Sequence, residues 1–265
     1  MIQFGVRDFV AIFLGALLQG ATGFGSAVFM NAIMSLFHSI KTISPIIAAY
    51  KLLTGTIVLI GRFMRGRLTL QTYKPTRNSK RIHLGLFMFM SFIGIYGGKI
   101  ALLSRGDQMA RWAIAALVLV GQLVSRYSGN NESEPLSSTK YTSKVRESKD
   151  YFITIVLGLG AGMFGYAYNT NGPFVALLVL FQHLRKKHAI NFSTLYFLGM
   201  NVVFLVMHNS FGFMHNLRQP DILIGFGLIA LGATVGVYIQ KYISEAQYRQ
   251  IINIFLIISI ILLLI

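Results

Sequence analysis

Two short segments of the sequence carry polar groups in the middle of long apolar runs. The first is GATGFGS at residues 20–26, and the second is YNTNGPF at residues 168–174. Clustered glycines and an Asn-Gly-Pro sequence do not continue a helix comfortably, so each break either kinks the helix or allows a new half-helix to begin. The unpaired N–H groups at a helix N-terminus attract an anion, and hydroxyl and amide donors beside them strengthen that attraction. The candidate anion-binding residues are therefore Thr22, Gly23, Phe24, Gly25, Ser26, Asn169, Thr170, Asn171, Gly172 and Pro173.

The same segments allow other interpretations. Glycines at these positions also permit two helices to cross closely without binding any ligand. The TGFG of residues 22–25 resembles a potassium-channel filter, but one residue is missing and the second half has no equivalent. Residues 23–26 are not a nucleophile elbow, because no strand and no acid–base partner accompany them. An anion site and plain helix packing remain the two interpretations.

Lys51 and Asn201 are further polar residues inside apolar runs. Lys51, within AAYKLLTGTIVL, either compensates the charge of an anionic substrate or extends to a nearby membrane interface. Asn201 either bridges two helices or lines the same cavity. Both residues join the candidate substrate-binding set. The six histidines are not spaced with carboxylates as metal ligands are, and no phosphate-binding loop is present, so the sequence predicts neither a metal nor a cofactor.

The composition describes the scaffold that must hold these groups. Of 265 residues, 54% are hydrophobic and 12% are charged, which is about half of the usual charged fraction. The net charge of +16 comes from Lys and Arg clusters between the apolar runs, which argues against a nucleic-acid-binding protein. The absence of cysteine excludes a disulfide scaffold and a thiol nucleophile. Since no polar segment is long enough for a soluble catalytic domain, we expect an integral membrane protein that is not an enzyme.

Eight apolar runs are candidates for membrane segments, since a spanning helix needs about 20 such residues. They are 9–37, 43–61, 82–103, 109–125, 152–181, 189–208, 221–240 and 248–265. The runs 9–37 and 152–181 are long for a single span, and each contains one of the two breaks. Each is then either one kinked span or a hairpin of two half-helices. The predicted fold class is an all-α integral membrane protein of two four-segment halves, with an interrupted first segment in each.

The two halves resemble each other. Residues 1–126 and 150–265 are the predicted membrane repeats, and the polar residues 127–149 are a predicted linker loop. Each repeat contains a Gly-x-x-x-Gly motif within an apolar run, and the motif starts at Gly94 in the first repeat and at Gly232 in the second. If each interrupted run returns to its starting side, most basic residues fall on one side of the membrane, as the positive-inside rule requires. We therefore predict inverted repeats with both termini outside.

Three motifs resemble those of a known family. They are GATGFGSAVF in the first half, NTNGPFVALLVL in the second half and the later NFSTLYFLGMN. In this order they are similar to the sulfite exporter TauE/SafE family, over essentially the whole chain. Two positions depart from the family pattern, with Met30-Asn31 in place of a proline and Asn191 in place of an arginine. The resemblance implies a multi-pass transporter of the bacterial cytoplasmic membrane for sulfite, sulfonates or related organosulfur anions.

The residues and the resemblance together predict a secondary carrier. It moves a small sulfur oxyanion or organosulfonate, of the sulfite, thiosulfate or sulfonate type, by alternating access between the two repeats. The alternatives are an anion channel and a membrane scaffold or sensor subunit that transports nothing. The expected partners are the small anion and membrane lipid, whose anionic headgroups suit the basic loops, and a homodimer is a further option.

Overall fold

The protein is helical throughout the residues that the computed structural model describes. These residues are 4–34, 36–38, 40–64, 78–103, 119, 140–182, 184, 186–208 and 219–264, and they contain no strand. The helices are α1 (Val6–Thr22), α2 (Ser26–Met34), α3 (Ile40–Phe63), α4 (Asn78–Leu103), α5 (Lys140–Tyr168), α6 (Gly172–Phe181), α7 (Lys186–His208), α8 (Pro220–Ile239) and α9 (Glu245–Leu264). The all-helical prediction is confirmed for this part of the chain.

Glycines turn the chain at the first break. α1 ends at Thr22, and Gly23 (φ 87°) and Gly25 (φ 106°) follow in backbone conformations of positive φ. L-residues with side chains rarely adopt such conformations, which explains why this segment is rich in glycine. α2 then begins at Ser26. The two glycines therefore end one helix and allow the next to start in a new direction.

α2 folds back along α1. Near the turn, the Ser26 hydroxyl donates a hydrogen bond to Gln19 Oε1. At the far end, His38 Nε2 lies beyond α2 and 3.3 Å from Asp8 Oδ2, which is in the first turn of α1. Residues 9–37 therefore return to the side on which they start, so this run is a hairpin and not a kinked span.

The second interrupted run, 152–181, has the same form. α5 is followed by Asn169, whose φ of 53° is left-handed, and α6 begins at Gly172 with a proline in its first turn. Asparagine is one of the few residues with a side chain that tolerates this conformation. The rings of Phe164 and Phe174 stack across the hairpin with their centroids 5.7 Å apart. Both predicted interruptions are therefore present, and both are tight turns between packed helices.

Corresponding helices of the two halves are equally spaced in the sequence. α3 begins at Ile40 and α7 begins at Lys186. The same spacing relates Gly23 to Asn169, the first left-handed residue of each break. The glycine motifs of the later helices α4 and α8 are slightly closer together in the sequence. The two halves therefore repeat one order of helices.

The glycine motif of α8 packs on the first helix of the opposite half. Gly232 lies against the α1 backbone at Phe13, and Gly236 lies one turn further along α1, at Leu17. Because residue numbers rise together along the contact, α1 and α8 run parallel. A side chain at either glycine would collide with a backbone oxygen, so this contact depends on the missing Cβ atoms.

The same contact recurs between α4 and α5. Gly94 lies against Leu159 and Gly98 against Met163, again in parallel and again on backbone oxygens. The close helix approach that the Gly-x-x-x-Gly sequences predict is thereby confirmed in both halves. Each half contributes its glycine helix to the other half, so the two halves exchange helices.

Five of the described helices are long and apolar enough to cross a membrane. These segments are Thr42–Phe63, Ile82–Ile100, Asp150–Tyr168, Lys186–Met207 and Pro220–Ile239. Large apolar side chains such as Ile100, Val206 and Leu231 are exposed on them, as expected for helices that contact lipid. The predicted segment 109–125 lies outside the described residues apart from Leu119. The chain is a multi-pass membrane protein.

The predicted linker differs from the structure at its end. Residues 127–139 lie outside the described part of the chain, but the helix α5 already begins at Lys140. Lys, Arg and Glu are good helix formers, so residues 140–149 extend the helix beyond its apolar part. The polar composition therefore indicates where α5 leaves the apolar environment and not where the helix begins.

Candidate functional site

A small cavity lies where the two helix breaks meet. The first half contributes Gln19, Gly25, Ser26, Ala27 and Lys51 to its lining, and the second half contributes Asn171, Gly172 and Phe197. Its volume is about 10 Å³, which leaves room for about one water molecule. We call this space the central cavity.

Two helix N-termini point their positive ends toward the central cavity. α2 begins at Ser26 and α6 begins at Gly172, and both residues line the cavity. A helix N-terminus carries the equivalent of about half a positive charge on its unpaired N–H groups. The two breaks therefore place the partial positive charges of two helix N-termini at one cavity.

Lys51 is the charged residue among the described residues that line the central cavity, and it is only 2% exposed. Its Nζ donates hydrogen bonds to Asn171 Oδ1 at 2.9 Å and to the Asn169 carbonyl at 3.4 Å. It also lies 5.4 Å from the centroid of the Phe197 ring, a cation–π contact. An ammonium has three N–H donors, so one remains. Within the described residues, Lys51 is surrounded by neutral groups and has no carboxylate partner.

The first break is held by hydrogen bonds within the protein. Thr22 Oγ1 lies 2.8 Å from both the Leu18 and the Phe24 carbonyl oxygens, which share its one O–H proton. The Tyr248 hydroxyl donates to the Thr22 carbonyl at 3.2 Å, and its ring packs against the Phe24 ring. These contacts fix the turn and leave Thr22 outside the cavity lining.

The second break is held by contacts with the first half. Asn169 Nδ2 lies 2.7 Å from both the carbonyl and the hydroxyl oxygen of Ser44. Asn31 Nδ2 donates to the Tyr168 carbonyl. Thr170 bonds back to the α5 backbone through both its N–H and its hydroxyl. The second turn is therefore positioned by side chains from α2 and α3, which connects the geometry of the two breaks.

Apart from Asn201, the predicted site residues divide into two groups. Those that line the central cavity are Gly25, Ser26, Lys51, Asn171 and Gly172. Those that form or brace the turns outside its lining are Thr22, Gly23, Phe24, Asn169, Thr170 and Pro173. The snorkelling interpretation of Lys51 does not describe this structure, because its Nζ bonds to Asn171 inside the protein.

Sequence reasoning missed three lining residues, Gln19, Ala27 and Phe197. Gln19 has a recognisable signal, since it is a polar residue inside α1 and one turn before the first break. Ala27 and Phe197 have none, because small and aromatic residues are common in membrane helices. Asn201 is fully buried one turn beyond Phe197 but does not line the cavity, and neither its Oδ1 nor its Nδ2 has a hydrogen-bond partner among the described residues.

A second and larger cavity, of about 200 Å³, lies at the ends of α3 and α8 and the start of α7. Arg62, Lys186, Lys187, Ile190 and Gln240 line it, and we call it the basic cavity. Arg62 is only 4% exposed. Lys186 Nζ donates to the Gln240 carbonyl at 2.7 Å, and the Lys186 backbone N–H donates to the Glu245 carboxylate at 2.9 Å. Three cations therefore line a cavity beside one carboxylate.

The central cavity has the chemistry of an anion site. It combines one ammonium, two helix N-termini and the hydroxyl and amide groups of Ser26, Gln19 and Asn171. Among the described residues no carboxylate lines it, so no negatively charged side chain there repels an anion. Within the described residues, no group of three His, Asp or Glu side chains could hold a metal ion.

Comparison with known proteins agrees with this chemistry. No curated protein and no solved structure matches the chain. The family model described as sulfite exporter TauE/SafE matches residues 9–263, which include both breaks and Lys51. Since the match covers nearly the whole length, the chain belongs to the sulfite exporter TauE/SafE family of membrane transport proteins.

Proposed function

We propose that this protein is a secondary carrier that moves a small sulfur oxyanion or an organosulfonate across the bacterial cytoplasmic membrane. The main support for the proposal is that Lys51 is buried at the central cavity, which the N-termini of α2 and α6 also line. A charged side chain in the middle of a membrane costs about 2.5–3.5 kcal/mol on insertion scales, and a bound anion offsets that cost. Sulfite, thiosulfate and sulfonates present several oxygen acceptors to the donors of the cavity.

The proposed mechanism is alternating access between two inverted repeats. Two features support it. Because each half starts with a hairpin and pairs its glycine helix with the other half, the halves are expected to enter the membrane from opposite sides. The segments 62–81, 126–149, 185–187 and 241–249, which include some helix ends, then share one side and hold most of the basic residues, which favours the cytoplasm for that side.

The size of the central cavity favours a carrier over a channel. With room for about one water molecule, it is too small for an oxyanion with its water shell. A substrate therefore needs a movement of the surrounding helices to enter. A channel needs a continuous pore in its conducting state, and a scaffold needs no buried cation at all.

Transport by purified protein in proteoliposomes tests the proposal. We expect saturable flux of sulfite, thiosulfate or methanesulfonate, and an at least tenfold loss of flux in Lys51→Gln. The matched control is Lys99→Gln, which removes an exposed lysine from α4 and should transport normally. Flux that does not saturate would favour the channel, and the absence of flux in a folded protein that no anion stabilises would favour the scaffold.

A further inference from the structure

A row of buried polar atoms on α7 has no hydrogen-bond partners within the described residues. It consists of Asn191 Oδ1, Thr194 Oγ1 and both amide atoms of Asn201. These side chains are 5%, 3% and 0% exposed, so bulk water does not reach them. Buried polar atoms in proteins are nearly always hydrogen-bonded. The row therefore points to water or a polar ligand between α7 and its neighbours.

The row faces α3. Its three residues are spaced so that they lie on one side of α7, and Leu198 lies on that side too. Leu198 is next to Gly55 of α3. On α3, Lys51 and Arg62 are about three helical turns apart, so they share one face and are separated by about 16 Å at 1.5 Å per residue. The interface between α3 and α7 therefore leads from Lys51 at the central cavity to Arg62 at the basic cavity.

The basic cavity has the donors that a small oxyanion requires. The Arg62 guanidinium is nearly buried, and a guanidinium can bind two oxygens of one anion at once. Lys186 is held in place by backbone carbonyls, and Lys187 is exposed at the cavity mouth. The Glu245 carboxylate offsets one of the three positive charges, which leaves a net positive lining.

We propose that the basic cavity is a second binding site for a small oxyanion, connected to the central cavity through the interface of α3 and α7. The role of this site as a station on the transport route rests on the proposed function. Anion binding itself rests only on Arg62, Lys186 and Lys187 around a cavity of about 200 Å³. An anion leaving Lys51 then reaches Arg62 before it reaches solution.

Titration calorimetry with sulfite or sulfate, on protein in lipid-free detergent, tests the second site. The measurement is made in Lys51→Gln, so that binding at the central cavity and transport do not contribute. We expect one remaining site, weakened at least tenfold when Arg62→Gln is added. Because Arg62 is buried and its loss can impair folding, Lys187→Gln is the second variant and should weaken binding at least threefold. Lys241→Gln, an exposed lysine outside the cavity, should leave it unchanged.

The outcomes separate this site from the central site and from lipid. If the Lys51→Gln protein binds no anion, or binds it equally well after Arg62→Gln and Lys187→Gln, the second site is refuted, whatever the transport assay shows. A lipid headgroup is the other source of an oxyanion. If anionic lipid in nanodiscs abolishes binding of sulfate that neutral lipid permits, the cavity belongs to the headgroup and the free-anion site is also refuted.

Discussion

Lys51 and Phe197 occupy corresponding positions in the two halves and face each other at the central cavity. Each lies equally far from the start of its own helix, α3 for the lysine and α7 for the phenylalanine. Lys51 Nζ is 5.4 Å from the centre of the Phe197 ring. The halves are therefore alike in backbone but different in chemistry at the point where they meet. One half supplies a cation and the other supplies the electron-rich face of a ring.

The first prediction concerns Phe197. A cation–π contact contributes about 0.5–2 kcal/mol, so Phe197→Leu should lower the free energy of unfolding. Because the Lys51 ammonium then lacks the ring contact, a bound anion should stabilise it more than in the wild type. We expect a lower melting temperature without anion and a larger stabilisation by sulfite than in the wild type. Phe192→Leu is the control, because it removes a buried ring on the same helix that contacts Phe87. An equal anion response in both variants would contradict the role of the ring.

The second prediction concerns Asn171, whose Oδ1 accepts a hydrogen bond from Lys51. Asn171→Asp places a carboxylate beside the ammonium, and this internal ion pair should compete with the substrate. We expect an at least tenfold loss of anion affinity, measured by anion-dependent thermal stabilisation. Asn171→Leu removes the acceptor without adding charge, and should cost about 1–3 kcal/mol of stability while still responding to anion. Anion binding that survives in the aspartate variant would argue against a site centred on Lys51.

The third prediction concerns the left-handed backbone at Asn169, where φ is 53°. Both Asn169→Gly and Asn169→Ala lose the bonds to Ser44. Alanine also carries the penalty of about 1–2 kcal/mol for a Cβ in this conformation, which glycine does not. The glycine variant should therefore unfold at a higher temperature than the alanine variant. Equal melting temperatures would mean that the turn relaxes when its side chain is removed.

The fourth prediction compares two glycines of α8. A Cβ added at Gly232 would lie 2.6 Å from the Phe13 carbonyl oxygen, whereas no atom lies within 4 Å of a Cβ at Gly227. Gly232→Ala should destabilise the protein by about 1–3 kcal/mol, the usual cost of overpacking. Gly227→Ala should be neutral, or stabilising by up to about 1 kcal/mol through helix propensity. Thermal unfolding in detergent measures both, and a neutral Gly232→Ala would show that the helix contact is not tight.

The fifth prediction uses the natural absence of cysteine. Asp8 and His38 meet at the end of the first hairpin, with 3.3 Å between Oδ2 and Nε2. In the double variant Asp8→Cys and His38→Cys, a short thiol-specific cross-linker should join the two positions. If this end opens during transport, cross-linking should stop the flux, and cleavage of the linker should restore it. Each single variant controls for modification alone, and normal flux through the cross-linked protein would show that the hairpin end stays closed.

Much of the fold was predictable because a membrane imposes few constraints on a helix, and each constraint leaves a clear sequence pattern. Apolar length indicates the spans, and glycine with an Asn-Gly-Pro sequence indicates the breaks. The choice between a kinked span and a hairpin was not predictable, since both have the same hydropathy. The hairpin becomes visible only in contacts between residues far apart in the sequence, such as Asp8 and His38, which are 30 residues apart.

The candidate site was predictable in part for a similar reason. Gly25, Ser26, Asn171 and Gly172 stand out because glycines occur there next to polar residues inside an apolar run. Local signals could not show that the Lys51 ammonium meets Asn171, since 120 residues separate them. Nor could they show that the Thr22 hydroxyl bonds to backbone carbonyls of its own turn. In a sequence, a donor that stabilises a turn cannot be distinguished from a donor that binds a ligand.

The exchange of glycine helices has a consequence for biosynthesis. α1 is made early, but α8, whose glycines it packs against, is made near the end of the chain. The residues that pack on this side of α1 are therefore made only after the rest of the first half. Because each half packs on a glycine helix of the other, neither half has all of its helix contacts until both have been made. Synthesis of the second half supplies the helix that packs on α1 of the first half.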